Sequence, residues 1–256
     1  MRDITVNVGS ATEAEPAVAC ALSLARRYGA FLTGLQVVPG NPPFPAAAGA
    51  DAQSRRAWWE ALCRGHGISG AWETPRGPYV PTLALRSLLS DVLVGSLPAG
   101  SPEAAPLIEE WSRVLLEGSA PVLLVPRGGT AEFDFRHIAI GWNGSGQALR
   151  AIHAALPLLR DAHEVTVYDG CRSGAPGAPP APWLREWLDR HGVRFQRIDF
   201  APGREVGRRL HDDAQARRAG LLVMGAWGRS RMSERVLGGA THWLLGDSRL
   251  PMLLAH

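Results

Sequence analysis

The run LLVMGAWGRSRMSERVLGGATHWLL, Leu221 to Leu245, decides how this chain is read. Its first residues form an apolar segment of strand character, the glycines 225, 228, 238 and 239 follow, and Thr241 to Leu245 opens a helix-like run. Two small turns between a strand and a helix let backbone N–H groups point into one concavity, a geometry that suits a phosphate chain. A residue with a Cβ at those turns would hold the backbone away from the phosphate oxygens. Any one of these glycines could merely end a strand or cap a helix. Four at this spacing point to a ligand.

Working outward, the same order of elements occurs twice. ITVNVG (Ile4 to Gly9), a helical pattern through Ala25 with a stop at Gly29, and FLTGLQVV (Phe31 to Val38) are matched by HIAIGWNGS (His137 to Ser145), a helical pattern through Leu159, and EVTVYDG (Glu164 to Gly170). Each half continues with a Pro/Gly-rich stretch, a tryptophan-bearing helix, a short strand, another helix and a buried strand, DVLVGS (Asp91 to Ser96) or LLVMGA (Leu221 to Ala226). Both end alike, in APVLLVP (Ala120 to Pro126) and LPMLLAH (Leu250 to His256). Strands alternating with helices predict an α/β fold of two tandem, doubly wound parallel-sheet domains, residues 1–128 and 132–256, joined through Arg127 to Thr130. Val18, Leu22 and Ala25 mark the core face of the first helix; Leu149, Ile152, Leu156 and Leu159 mark that of its counterpart, where Pro157 predicts a kink or an early end.

Composition narrows the function classes. The 46% hydrophobic and 20% charged content is that of an ordinary globular protein. No apolar run reaches the ~20 residues of a membrane span and the first residues enter a strand pattern, so a cytoplasmic location without membrane attachment is expected. Cys20, Cys63 and Cys171 are widely spaced, so neither a disulfide framework nor a zinc site is indicated. All 27 basic residues are arginine, yet the formal charge is only +3 and they are scattered, which argues against a nucleic-acid surface. No histidine lies at metal-ligand spacing, and His211-Asp212-Asp213 reads as an exposed helix surface. No G-x-S-x-G elbow or G-x-x-x-x-G-K-[ST] loop is present; with no nucleophile, general base or metal cluster in view, no catalytic residue is assigned and fast catalysis is not expected.

GAWGRSRMSERVLGG, the preceding LLVMGA, the terminal PMLLAH and the loop WNGS resemble the universal stress protein (UspA-like) family, here as a tandem two-domain member. The resemblance covers nearly the whole chain, clearly in the second half and weakly in the first. It implies a Rossmann-like, adenine nucleotide α-hydrolase-like fold. The family pattern G-x2-G-x9-G-[ST] is matched at Gly225, Gly228 and Gly238; Gly239 stands where Ser or Thr is usual, and Thr241 matches a hydroxyl position after it. In ATP-binding members these positions hold the phosphates and ribose, and the loop after the first strand, usually with an Asp, lies against the base and ribose. In Trp142-Asn143-Gly144-Ser145, Asn143 keeps the shape and one acceptor and loses the charge. The implied ligand is an adenine nucleotide, ATP with or without Mg2+, and the implied assembly a homodimer. Arg229, Arg231 and Arg235 could neutralise a polyphosphate or simply be solvated; Ser230 and Ser233 could donate to phosphates or cap turns. Trp142 and Trp227 are placed to stack on a base from opposite sides of the cleft, unless one only packs over the loop; the remaining tryptophans read as core or interdomain packing.

The first half departs from this pattern. Pro121 and Pro251 lie 130 positions apart, as do Gly95 and Gly225, so the intervening stretches align without gaps. Gly228 then faces Pro98, Gly238 faces Ile108, Gly239 faces Glu109 and Thr241 faces Trp111, with Glu109-Glu110 bringing negative charge to the triphosphate position. The first half is expected to keep the fold and lose the pocket. Relatives of one domain pair through their final strand, so the two halves are expected to pack as a pseudo-dimer through Pro121 to Val125 and Pro251 to Ala255. Set against a nucleotide-binding stress protein are a scaffold or regulator of the same fold that binds no nucleotide, and an ATP-dependent enzyme of the wider group.

Overall fold

A computed structural model of the chain describes residues 1–9, 15–38, 48–97, 104–127, 133–171, 181–201, 203, 205–227 and 239–256. It divides into two compact units, Met1–Phe133 and Asp134–His256.

In the first unit, β1 (Asp3–Asn7), α1 (Pro16–Tyr28), β2 (Phe31–Leu35), α2 (Ala48–Gly65), β3 (Gly70–Glu73), α3 (Tyr79–Ser87), β4 (Val92–Leu97), α4 (Ala104–Glu117) and β5 (Val122–Pro126) alternate as expected. The strands lie in the order β3-β2-β1-β4-β5, all parallel, with Ile4 beside both Leu32 and Val92. Local chemistry sets the boundaries: Pro16 opens α1 where its missing N–H costs nothing, and Gly29 closes it at φ 59. Strands β4 and β5 are buried at every position, as strands covered on both faces must be. Trp59 and Trp72 pack under α2 with ring centroids 5.7 Å apart.

The second unit repeats the plan with β6 (His137–Trp142), α5 (Gly146–Asp161), β7 (Glu164–Asp169), α6 (Ala181–Arg190), β8 (Gln196–Asp199), α7 (Val206–Ala216), β9 (Leu221–Gly225), α8 (Gly239–Asp247) and β10 (Met252–Ala255). Its order is β10-β9-β6-β7-β8, again parallel. In each unit the strand order reverses beside the first strand, between β1 and β4 and between β6 and β9. Open α/β sheets bind ligands outside the carboxyl ends of the strands at such a point.

Several side chains depart from the sequence expectation. Helix α5 continues past Pro157 to Asp161, so the proline does not end it. Its buried face is Ala148, Ala151, Ile152, Ala155, Leu158 and Leu159, while Leu149 is 37% exposed. Small alanines let the helix lie close on the sheet, and that gain in packing turns the larger Leu149 outward. Trp183 is 61% exposed instead of packed, whereas Trp187 is stacked between His153 and His191 at centroid distances of 4.5 and 3.9 Å. His211 is buried, not exposed: its ring meets Trp243 edge-on and its Nε2 accepts the Arg249 N–H at 3.1 Å.

One partly buried polar contact pins α7 to the sheet. The Tyr168 hydroxyl donates to Asp213 at 2.7 Å, and Arg217 Nε reaches the same carboxylate at 2.9 Å. Burial pushes the Asp213 carboxyl up, but these two hydrogen bonds outweigh it and hold the group below its ordinary range. Tyr168→Phe is expected to cost about 1 kcal/mol, the lower end for a charged acceptor because Asp213 is partly solvated. A group with a lowered folded pKa stabilises above its unfolded value of about 3.9 and loses that contribution as pH falls through the folded one, so the difference between wild type and variant fades in strong acid. Urea melts at pH 7 and in strong acid check both parts.

Candidate functional site

At the carboxyl end of β6 the backbone turns through Asn143, whose Oδ1 accepts the Ser145 N–H at 3.1 Å. Gly144 takes the left-handed conformation the turn needs, at φ 74, and Ser145 caps α5 by accepting the Ala148 N–H at 3.1 Å. The Asn143 carbonyl is thus spent on the turn, and its NH2 is what it offers a ligand. β9 ends beside this turn at Gly225. A Cβ there would lie 2.4 Å from the Ala148 nitrogen and 2.7 Å from the Gln147 carbonyl carbon. Gly225 therefore allows the end of β9 to touch the first turn of α5, and it places the electropositive start of that helix at the switch point.

Trp227 follows in the left-handed region at φ 51, half-buried, with its ring centroid 6.2 Å from that of His256. Its Nε1–H is buried and meets no acceptor among the described residues. Trp142 is only 7% exposed and Trp227 is half-buried, so of the pair expected to sandwich a base Trp142 is largely covered by the protein. α8 is described from Gly239, where a Cβ would meet no atom of the described residues within 4 Å. Thr241, two residues on, is buried at 4% and belongs to the packing of α8, whose first turn lies against α7 where Gly207 meets Ala240. Gly228, Arg229, Ser230 and Gly238, with Arg231, Ser233 and Arg235, lie outside the described residues. No cluster that could hold a metal ion occurs among the described residues, and none of their helices is long and apolar enough to cross a membrane.

The first unit fills the corresponding region differently. Helix α4 is described from Ala104 and α8 from Gly239, and both end at matching positions, Glu117 and Asp247. Ile108 and Trp111 on α4 are buried. A Cβ on Gly95 would stand 2.0 Å from Trp111 Cζ2, so this glycine serves the indole ring, where its counterpart Gly225 serves a helix start.

A cavity of about 240 Å³ remains at the carboxyl ends of β1 and β4. Its polar lining includes Asn7, Glu15, Tyr79, Ser96, Glu110 and Arg127. Asn7 Nδ2 donates to the Tyr79 oxygen at 2.8 Å, and Glu15 Oε1 accepts from Ser96 Oγ at 3.2 Å and from the Gly9 N–H at 3.3 Å. Burial pushes the Glu110 carboxyl up; Arg113 opposes this and Glu109 adds to it. The Tyr79 phenol is likewise raised, first by burial and then by the Glu110 charge, with Glu15 contributing in the same direction. Sequence reading missed Glu15, Tyr79 and Arg127 because they converge only in space; Glu110 alone carried a signal, as an acid at a phosphate position.

No family profile matches the chain, and no curated protein matches it in sequence. Solved structures do match. A universal stress protein from Archaeoglobus fulgidus DSM 4304 superposes with a TM-score of 0.75 at 16% identity, over 99% of this chain and 96% of that one. A protein of unknown function from Pseudomonas aeruginosa PAO1 gives 0.66 at 14% identity, over 100% and 92%. A protein provisionally described as a universal stress protein from Pseudomonas aeruginosa UCBPP-PA14 gives 0.68 at 16%, over 100% and 93%. With two α/β units of the same strand order and a full-length superposition, the chain has the universal stress protein fold in tandem form.

Proposed function

We propose that the second unit binds an adenine nucleotide, ATP by preference, and that the chain acts as a nucleotide-dependent regulator in a stress response, with slow hydrolysis at most. The observation that carries this reading is Gly225: it ends β9 at the switch point, against the start of α5, and leads into the run that supplies Gly228, Gly238 and Gly239. In this reading the backbone between Gly225 and Thr241 cradles the phosphates, with Arg229 and Ser230 beside them and Mg2+ as an optional counter-ion. The Asn143 NH2 and the Trp227 ring meet the ribose and base. The fold shared with universal stress proteins supports the assignment, as does the confinement of the glycine run to one half.

Calorimetric titration of the full chain with ATP is expected to saturate near one equivalent; two equivalent sites would contradict it. The competing reading, an interaction protein that binds no nucleotide, draws on the burial of Thr241 and on Gly239 in place of a hydroxyl residue. Denaturing the purified protein and identifying any released small molecule by mass spectrometry separates the two. We further infer cytoplasmic residence and homodimer formation. Because β10 is an end strand of the second unit's own sheet, residues 132–256 alone are expected to dimerise or aggregate. Light scattering that finds this fragment monomeric and soluble would overturn the expectation.

A further inference from the structure

The cavity of the first unit lies at the switch point of its sheet, between the segment following β1 and the end of β4, where a doubly wound fold places a ligand. Its chemistry differs from that of the glycine loop. Among the described residues that line it, two carboxylates, Glu15 and Glu110, stand against one guanidinium, Arg127. Glu15 is 5% exposed and fixed at the wall by Ser96 and the Gly9 amide. The Tyr79 oxygen already accepts from Asn7, so its own proton is available to a ligand acceptor. The volume of about 240 Å³ falls below the ~300 Å³ at which pockets for drug-sized ligands begin, and suits a molecule the size of an amino acid.

We propose that this cavity is a second ligand site, specific for a small organic cation that also carries a hydrogen-bond acceptor and no phosphate. The excess carboxylate selects the positive charge, Tyr79 and Arg127 receive the acceptor, and the two acids repel phosphate. Arg113 and Glu109 are the other charged neighbours that act on Glu110 and offset each other in sign, so the balance inside the cavity is set by Glu15, Glu110 and Arg127. Burial is the main reason that the Glu110 carboxyl is raised, which agrees with its place in the wall of the cavity. This site does not depend on nucleotide binding in the second unit.

The test is calorimetric titration of the full chain, with and without saturating ATP, using L-arginine as probe and L-citrulline, its neutral counterpart of nearly the same shape. Arginine is expected to bind near one equivalent and at least tenfold more tightly than citrulline, whether or not ATP is present. Glu110→Gln is expected to reduce arginine affinity at least tenfold and to leave the ATP titration unchanged. Equal binding of the two probes, no arginine binding at millimolar concentration, unchanged affinity in Glu110→Gln, or displacement of arginine by ATP would each overturn the proposal.

Discussion

Replacing Gly238 by valine is expected to abolish ATP binding in a chain that remains folded. Gly238 lies outside the described residues, next to Gly239, from which α8 is described, and in the proposed site its backbone N–H would meet the phosphates. A branched side chain there would occupy the space of the phosphates and break several hydrogen bonds to a charged group together. The loss should be on the order of 3 kcal/mol, or about a hundredfold in affinity. Calorimetry reads the affinity, and an unchanged circular dichroism spectrum establishes the fold. A folded variant with wild-type affinity would remove the glycine loop from the site. Gly239→Ala provides the contrast: its Cβ meets none of the described residues, so the fold should tolerate it.

The second large effect concerns stability. Gly95→Ala would drive a methyl group into Trp111, whose ring is fully buried and whose Cζ2 would lie 2.0 Å away. An interior packed to crystal density cannot yield by that much without moving α4 or β4. A loss of about 3 kcal/mol is expected, the upper end of overpacking costs, measurable as a lower denaturant midpoint. Adding Trp111→Leu should recover part of it, because the smaller side chain frees the space the methyl needs. Strict additivity of the two changes would show that they do not share a clash.

Strand and helix order in both units was legible because each element carries its own local signal: Pro16 and Gly29 around α1, and continuous apolar runs at β4, β5, β9 and β10. The offset of 130 residues pairs Gly95 with Gly225, and both stand where a close approach forbids a side chain. What local pattern could not reveal was what fills each close approach. Gly95 faces an indole and Gly225 a helix terminus, and only the fold brings those partners together. For the same reason the polar cavity of the first unit escaped a reading that compared phosphate positions one by one. Periodicity likewise misplaced the face of α5, because alanine weighs little in an apolar pattern yet packs closest to a sheet. His211 was misread from its acidic neighbours, whose exposure says nothing of the ring one position away.

The interlock of Gly95 with Trp111 also bears on whether the first unit could be re-equipped for nucleotides. Transplanting the segment from Gly225 to Thr241 onto the matching positions would delete a fully buried indole and the first turn of α4 along with it. Such a graft would leave a void that no incoming side chain fills, since Thr241 is far smaller than Trp111. The divergence between the halves is in that sense ratcheted: a glycine restored at Ile108 or Glu109 lands inside helix α4, and only a simultaneous exchange of loop, helix and core could reverse it.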